Sequence, residues 1–108
     1  MTESLPAGAV VRASRATFDP SRFAEVEALS TKQAQYLAPA VERLPGLIRF
    51  YAGVSPDGSM LQLSVWDSEE HAAQLSHLRE MVVVARGEME AVGVTFSPIA
   101  TYPLSWTI

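Results

Sequence analysis

The feature that most constrains this chain is the run from Leu44 to Leu75. It reads as a strand, a tight turn, a second strand and a capped helix. Pro45-Gly46 ends whatever precedes it, because Pro cannot continue a helix and Gly accepts the left-handed turn that closes one. From Leu47 to Val54 the residues are mostly apolar, aromatic or β-branched, as strands prefer. Alternation puts Ile48, Phe50, Ala52 and Val54 on one face, and Leu47, Arg49, Tyr51 and Gly53 on the other. Ser55-Pro56-Asp57-Gly58 suits a type I turn, with Pro presetting φ and Gly taking φ > 0. In the next strand Leu61, Leu63 and Val65 form an apolar face, and Met60, Gln62, Ser64 and Trp66 a mixed one.

Directly opposed residues in a hairpin share a face. Matching the apolar faces predicts that Val54 pairs with Ser59, Ala52 with Leu61 and Phe50 with Leu63, across a four-residue loop Ser55–Gly58. That register gathers Arg49, Tyr51, Gln62, Ser64 and Trp66 on one amphipathic face. Two large rings on such a face suggest that it meets a ligand or a partner.

The remaining elements are read outward from this unit. Residues 1–8 are expected to be a flexible lead-in. Ala9–Thr17 reads as a strand, with Val11 and Ala13 on one face and Val10, Arg12 and Ser14 on the other. Asp19 can cap a helix whose first position is Pro20, and Phe18 with Phe23 has the spacing of a hydrophobic staple. Phe23, Val26, Leu29, Gln33, Tyr36, Leu37, Ala40, Val41 and Leu44 mark one helical face. Pro39 predicts a kink, or a fresh short helix from Pro39 to Arg43. After the hairpin, Asp67 or Ser68 caps a second helix, and Asp67 with Glu70 has capping-box spacing. Met81–Ala85 could be a strand, but the neighbouring Glu and Arg residues favour one helix to about Ala91, closed by Gly93. Ser97-Pro98 leads into a last strand near Ile99–Trp106, with Pro103 marking an edge or bend.

This order predicts an α+β, ferredoxin-like split βαβ fold: a four-stranded antiparallel sheet with helices on one face. A chain of 108 residues makes one such domain. Nothing in it is left to cover the other face, where Tyr51, Trp66 and Tyr102 or Trp106 are expected. A homodimer packed sheet to sheet would cover it. The net charge of −4 and the single Lys argue against a nucleic-acid partner. With no Cys there is no disulfide, thiolate metal site or cysteine nucleophile. No apolar run is long enough to span a bilayer. The first residues show no signal-peptide pattern, so a cytoplasmic protein is expected.

Pro45-Gly46-Leu47, the hairpin, and Ser64-Val65-Trp66-Asp67-Ser68-Glu69-Glu70 leaving the third strand carry a resemblance. The chain resembles the dimeric α/β-barrel proteins of the antibiotic-biosynthesis monooxygenase type. The resemblance covers most of the chain, and its Trp-x-Ser-x-Glu junction marks the fold and not a catalytic centre. It implies a head-to-head dimer with one pocket per subunit, between the sheet and its helices. In the polyketide oxygenases of this group a side-chain amide and a Trp on the third strand help hold a phenolic substrate. Gln62 and Trp66 fall at that spacing, with Gln62 standing in place of an Asn. The haem-degrading branch needs an Asn on the first strand, and this chain has none, so haem is not expected. No other cofactor and no metal is expected either.

Each candidate carries two readings. Trp66 is a wall for an aromatic ligand, or packing in a dimer core, since buried rings are usually structural. Arg49 holds a phenolate or carboxylate, or pairs with an acid across a dimer. Tyr51 donates a proton to substrate, or makes an ordinary hydrogen bond. Gln62 and Ser64 orient a ligand, or solvate a chamber. His71 and His77, about 240° apart on one helix, do not make an i, i+4 metal pair. Each is a general base or, more ordinarily, a solvated helical His. The function expected from the resemblance is a cofactor-independent monooxygenase acting on a phenolic, quinol or polyketide-type aromatic. The alternative is a non-enzymatic dimeric module that binds a small ligand or only assembles.

Overall fold

The computed structural model describes residues 5–108. Of the expected lead-in, residues 1–4 lie outside the described residues, and Pro6 to Ala9 close a turn in which the Ala9 N–H donates to the Pro6 carbonyl at 3.0 Å. Strand β1 (Val10–Thr17) leads through a 3-10 turn (Pro20–Arg22) into helix α1 (Phe23–Glu42). Strands β2 (Leu47–Ser55) and β3 (Ser59–Trp66) form the hairpin. Helix α2 (Glu69–Ala72) runs into a 3-10 segment (Ala73–His77). A π-helical segment (Glu80–Ala85) then continues into α3 (Arg86–Ala91). Two short strands, β4 (Thr95–Phe96) and β5 (Ala100–Pro103), close the chain.

The sheet order is β2-β3-β1-β4, with β5 also on β1, and every pairing is antiparallel. This is the ferredoxin-like architecture the element order predicts. Its last strand position is shared by β4 and β5, because Pro98 between them cannot donate to a ladder.

The hairpin register differs from expectation by one residue. Ser55 pairs with Ser59, Ala52 with Gln62, Tyr51 with Leu63 and Phe50 with Ser64. Only Pro56, Asp57 and Gly58 bridge the strands. The Gly58 N–H donates to the Ser55 carbonyl at 3.1 Å. Gly58 takes φ +95°, as the left-handed residue of a three-residue hairpin must. Asp57 Oδ1 accepts from the Ser59 N–H at 3.0 Å and from its hydroxyl at 2.6 Å. Those bonds fix Ser59 as the first paired residue. One residue of slip exchanges faces. Phe50, Ala52 and Val54 therefore lie with Met60, Gln62 and Ser64 beneath the helices. Arg49 and Tyr51 lie with Leu61, Leu63 and Val65 on the uncovered face.

Two alternatives left open for the helices are narrowed, and one helical expectation is corrected. Helix α1 runs unbroken through Pro39, with no fresh helix there. Ser68, not Asp67, is the N-cap of α2, accepting from the His71 N–H at 3.1 Å. The second helix is not continuous, because Leu78 takes an extended conformation (φ −82°, ψ 110°) that breaks the run before Glu80.

Two apolar clusters anchor the covered face. One gathers Val10, Leu37, Val41, Trp66, Leu75 and Met81, and the other Ala16, Phe18, Val26, Met60, Met89 and Val94. The residues between them in sequence are polar on three elements. Arg12 and Ser14 separate Val10 from Ala16, Gln62 and Ser64 separate Met60 from Trp66, and Gln33 separates Val26 from Leu37. A polar belt thus crosses the middle of an otherwise greasy layer. Among the described residues no helix is long and apolar enough to cross a membrane.

Candidate functional site

The belt borders a cleft of about 310 Å³ between the sheet and the second helical run. Arg12 and Ser14 of β1, Met60 and Gln62 of β3, and Gln33 of α1 line the side toward the sheet and α1. Ser76, Met81, Val82, Ala85, Arg86 and Met89 line the other, with Phe96, Ser97 and Ile99 at the end. Met81, Val82 and Ala85 all belong to the π-helical segment. The wider turn of a π-helix is uncommon and tends to occur at functional sites.

Arg12 is the unusual member. It is only 6 % exposed, and its Nη2 donates to Ser76 Oγ at 3.2 Å. Among the described residues no carboxylate forms an ion pair with it. Burial pushes the guanidinium below its usual value, yet an Arg starts so high that it stays charged. The cleft lining holds two Arg and no Asp or Glu, in a chain of net charge −4. Arg86 has a partner elsewhere, donating to Glu90 at 3.3 Å and lying 5.1 Å from the Phe96 ring centre.

Gln33 braces the cleft. It is 3 % exposed, and its amide donates to the Ala85 carbonyl at 3.0 Å and to Glu88 at 3.1 Å. Tyr36 donates to the same Glu88 carboxylate at 2.6 Å. That bond and the Gln33 amide hold the Glu88 carboxyl below the usual carboxylate range. Burial, followed by the Glu88 bond, pushes the Tyr36 hydroxyl well above its ordinary value. These bonds tie α1 to the helical run that covers the cleft.

The seven residues singled out from the sequence do not converge. Gln62 lies on the cleft. Ser64 is 2 % exposed and accepts from Trp66 Nε1 at 2.8 Å. Trp66 is fully buried in the first apolar cluster, on the covered face and not in a dimer core. Arg49 and Tyr51 sit on the opposite face of the sheet, Tyr51 56 % exposed. His71 is the third residue of α2, its Nδ1 2.6 Å from Asp67 Oδ1, where the pair packs against Gly46. His77 is exposed at the end of the 3-10 segment. Neither His borders the cleft.

Sequence reasoning passed over Arg12, Gln33 and Ser76. The signal for two of them was legible. Arg12 interrupts a strand face that runs Val10, Arg12, Ser14, Ala16. Gln33 interrupts an apolar helical stripe. A polar residue at such a position must find a partner or a ligand. Ser76 carries no such mark, because the fold alone brings it to Arg12.

The shared fold is seen in solved structures. No family model matches the chain, and no curated protein matches its sequence. A variant of SnoaB, a cofactor-independent oxygenase from Streptomyces nogalater, superposes with a TM-score of 0.65 at 18 % identity, over 94 % of this chain and 98 % of that one. A protein from Deinococcus radiodurans, provisionally assigned as an antibiotic biosynthesis monooxygenase, superposes with a TM-score of 0.69 at 19 % identity, over 92 % and 95 %. A protein of unknown function from Nitrosomonas europaea superposes with a TM-score of 0.64 at 16 % identity, over 94 % of each chain. At these identities the likeness is one of fold: the chain shares the ferredoxin-like fold of these proteins.

Proposed function

We propose that this protein is a cofactor-independent monooxygenase that oxidises an electron-rich phenol, quinol or polyketide-type aromatic in the cleft. The observation that carries the reading is the cleft itself. It offers about 310 Å³ between sheet and helices, with apolar walls for ring faces and a few fixed polar groups for orientation. One solved protein of this fold is named as a cofactor-independent oxygenase. An ionised phenol can pass an electron to dioxygen without a cofactor. A C–O bond then forms at ring carbon, the O–O bond breaks, and the ring C–H proton leaves. A phenol plus O₂ becomes a quinone plus water. The protein's contribution is a positioned, dry site. Gln62 is the orienting amide in this reading, and Trp66 stabilises the scaffold.

The working unit in this proposal is a homodimer packed through the uncovered face. Leu61, Leu63, Val65 and Val11 supply apolar area there, with Tyr51 and Tyr102 beside them. Exposed apolar area of this kind commonly marks an interface.

One observation favours the second reading, a binding module without turnover. The cleft lining contains no His, Asp, Glu, Tyr or Lys to act as a general base. An oxygenase built this way must take a substrate that is acidic enough to ionise in the site. The test is oxygen uptake by the purified protein, without added metal or flavin, against a series of naphthols, quinols and anthrone. The expected result is uptake with an acidic phenol, reduced in Gln62→Leu. Tight binding of the same compounds with no oxygen consumed would favour the binding module.

A further inference from the structure

We propose that Arg12 is the anion-holding residue of the cleft, and that its ligand is an aromatic carrying an ionised oxygen, bound with that oxygen on the guanidinium beside Ser76. The proposal rests on the cleft being the ligand site. It does not require that any oxidation follow.

A guanidinium offers five N–H donors in a planar fork. Among the described residues its only side-chain bond is the one from Nη2 to Ser76 Oγ at 3.2 Å. Among the described residues no sealed side-chain nitrogen or oxygen lacks a partner. The donors that Ser76 leaves free are therefore not sealed off, and Arg12 lines the cleft. A buried cation without a counter-charge is costly, and an entering anion offsets that cost. The lining supplies no carboxylate that could do so from within. Arg86, the other cation of the lining, is already paired with Glu90, which leaves Arg12 as the uncompensated charge of the lining. The remaining walls point to an aromatic and not a small inorganic anion. Met60, Met81 and Met89 offer polarisable thioethers, which pack well against rings.

The fork geometry also explains what sequence reading assigned to Arg49. A planar bidentate donor suits a phenolate or enolate oxygen. Arg49 carries that chemistry on the wrong side of the sheet, and Arg12 carries it on the cleft.

The probe is 2,4-dinitro-1-naphthol, which is ionised at neutral pH and too electron-poor to be oxidised. Its methyl ether has the same rings without the charge. Binding is followed by the visible absorbance of the dye and by thermal shift. The wild type should hold the phenolate at least about tenfold more tightly than the ether, the value of one charge-assisted hydrogen bond. Arg12→Met should bring that ratio to about one. Arg12→Lys keeps the charge without the fork and should fall between, which covers the case in which Arg12→Met fails to fold. Sulfate in large excess should leave the dye bound. A ratio unchanged in both variants, no binding of either probe to the wild type, or displacement by sulfate would each overturn the proposal. Because the dye is inert to oxygen, these results stand apart from oxygen uptake. A protein that binds the dye through Arg12 and consumes no oxygen refutes the oxygenase and keeps the anion site.

Discussion

Ser55 faces Ser59 across the hairpin, with Pro56, Asp57 and Gly58 between them. That pairing decides which side of the sheet every hairpin residue occupies. It sends Gln62 to the cleft, and Leu61 and Leu63 to the uncovered face. If that face is the dimer interface, Leu61→Glu should yield a folded monomer, because Leu61 is 42 % exposed in the subunit. Light scattering with circular dichroism checks it. A dimer that survives the charge is built on some other surface.

Trp66 has no exposure and its indole N–H is bonded to Ser64. Trp66→Ala should cost about 3–5 kcal/mol, as deletion of a large core ring does. Urea denaturation measures it. A loss under about 1 kcal/mol would show that the ring lies against an adaptable surface and not in a packed core. The variant is accordingly a poor probe of ligand binding, since any loss of affinity would be confounded with loss of structure.

Arg12→Met removes a lone buried charge. It should raise stability by about 1 kcal/mol, several degrees in Tm for a domain of this size. A site residue that destabilises the fold is kept for what it binds. A drop in Tm would mean that the Ser76 bond outweighs desolvation, and that Arg12 is structural.

The Tyr36–Glu88 bond makes stability depend on pH at both ends. The Glu88 carboxyl is held low by Tyr36 and then Gln33. Its contribution is present above the ordinary Glu range and is lost as pH falls through the depressed folded value. The Tyr36 hydroxyl is pushed up by burial and then by Glu88. Its contribution is present below the ordinary Tyr value and is lost as pH rises through the raised one. Tyr36→Phe should therefore flatten the acid limb of the urea-midpoint profile. An acid limb with the same slope in both proteins would assign it to other carboxylates.

Gly46 holds φ +87°, and a Cβ there would meet the ring of His71 and the carboxylate of Asp67. Gly46→Ala should cost about 1–2 kcal/mol from the left-handed backbone alone, plus the clash. Adding His71→Ala should recover the ring's share of the clash and leave the Asp67 contact and the backbone part. Equal losses in both backgrounds would show that the His71–Asp67 pair yields without cost.

The order of strands and helices through β3, the place of the turn and the polar interruptions were legible in the chain. Alternation correctly put Val10, Arg12 and Ser14 on one face of β1. It could not say that this is the covered face, nor that Arg12 would lack a carboxylate there. The hairpin was misread for a physical reason. A four-residue loop and a three-residue loop are both written Ser-Pro-Asp-Gly-Ser. Maximising apolar contact chose the former, because Leu61, Leu63 and Val65 look like core. A sheet with a second copy to cover it can have two buried faces, and hydropathy alone does not rank them.

By itself, then, the sequence determined what is local: strand and helix periods, the left-handed glycines at 46 and 58, a helix cap at Asp67 or Ser68, and the alternation that keeps Gln62 and Ser64 together. The tertiary structure decided what is non-local. Packing of Trp66 and Met60 under the helices chose the covered face, and the break at Leu78 let the 3-10 segment bring Ser76 to Arg12. Those outcomes depend on contacts between residues far apart in the chain, where small free-energy differences between registers and faces are settled by the whole core at once.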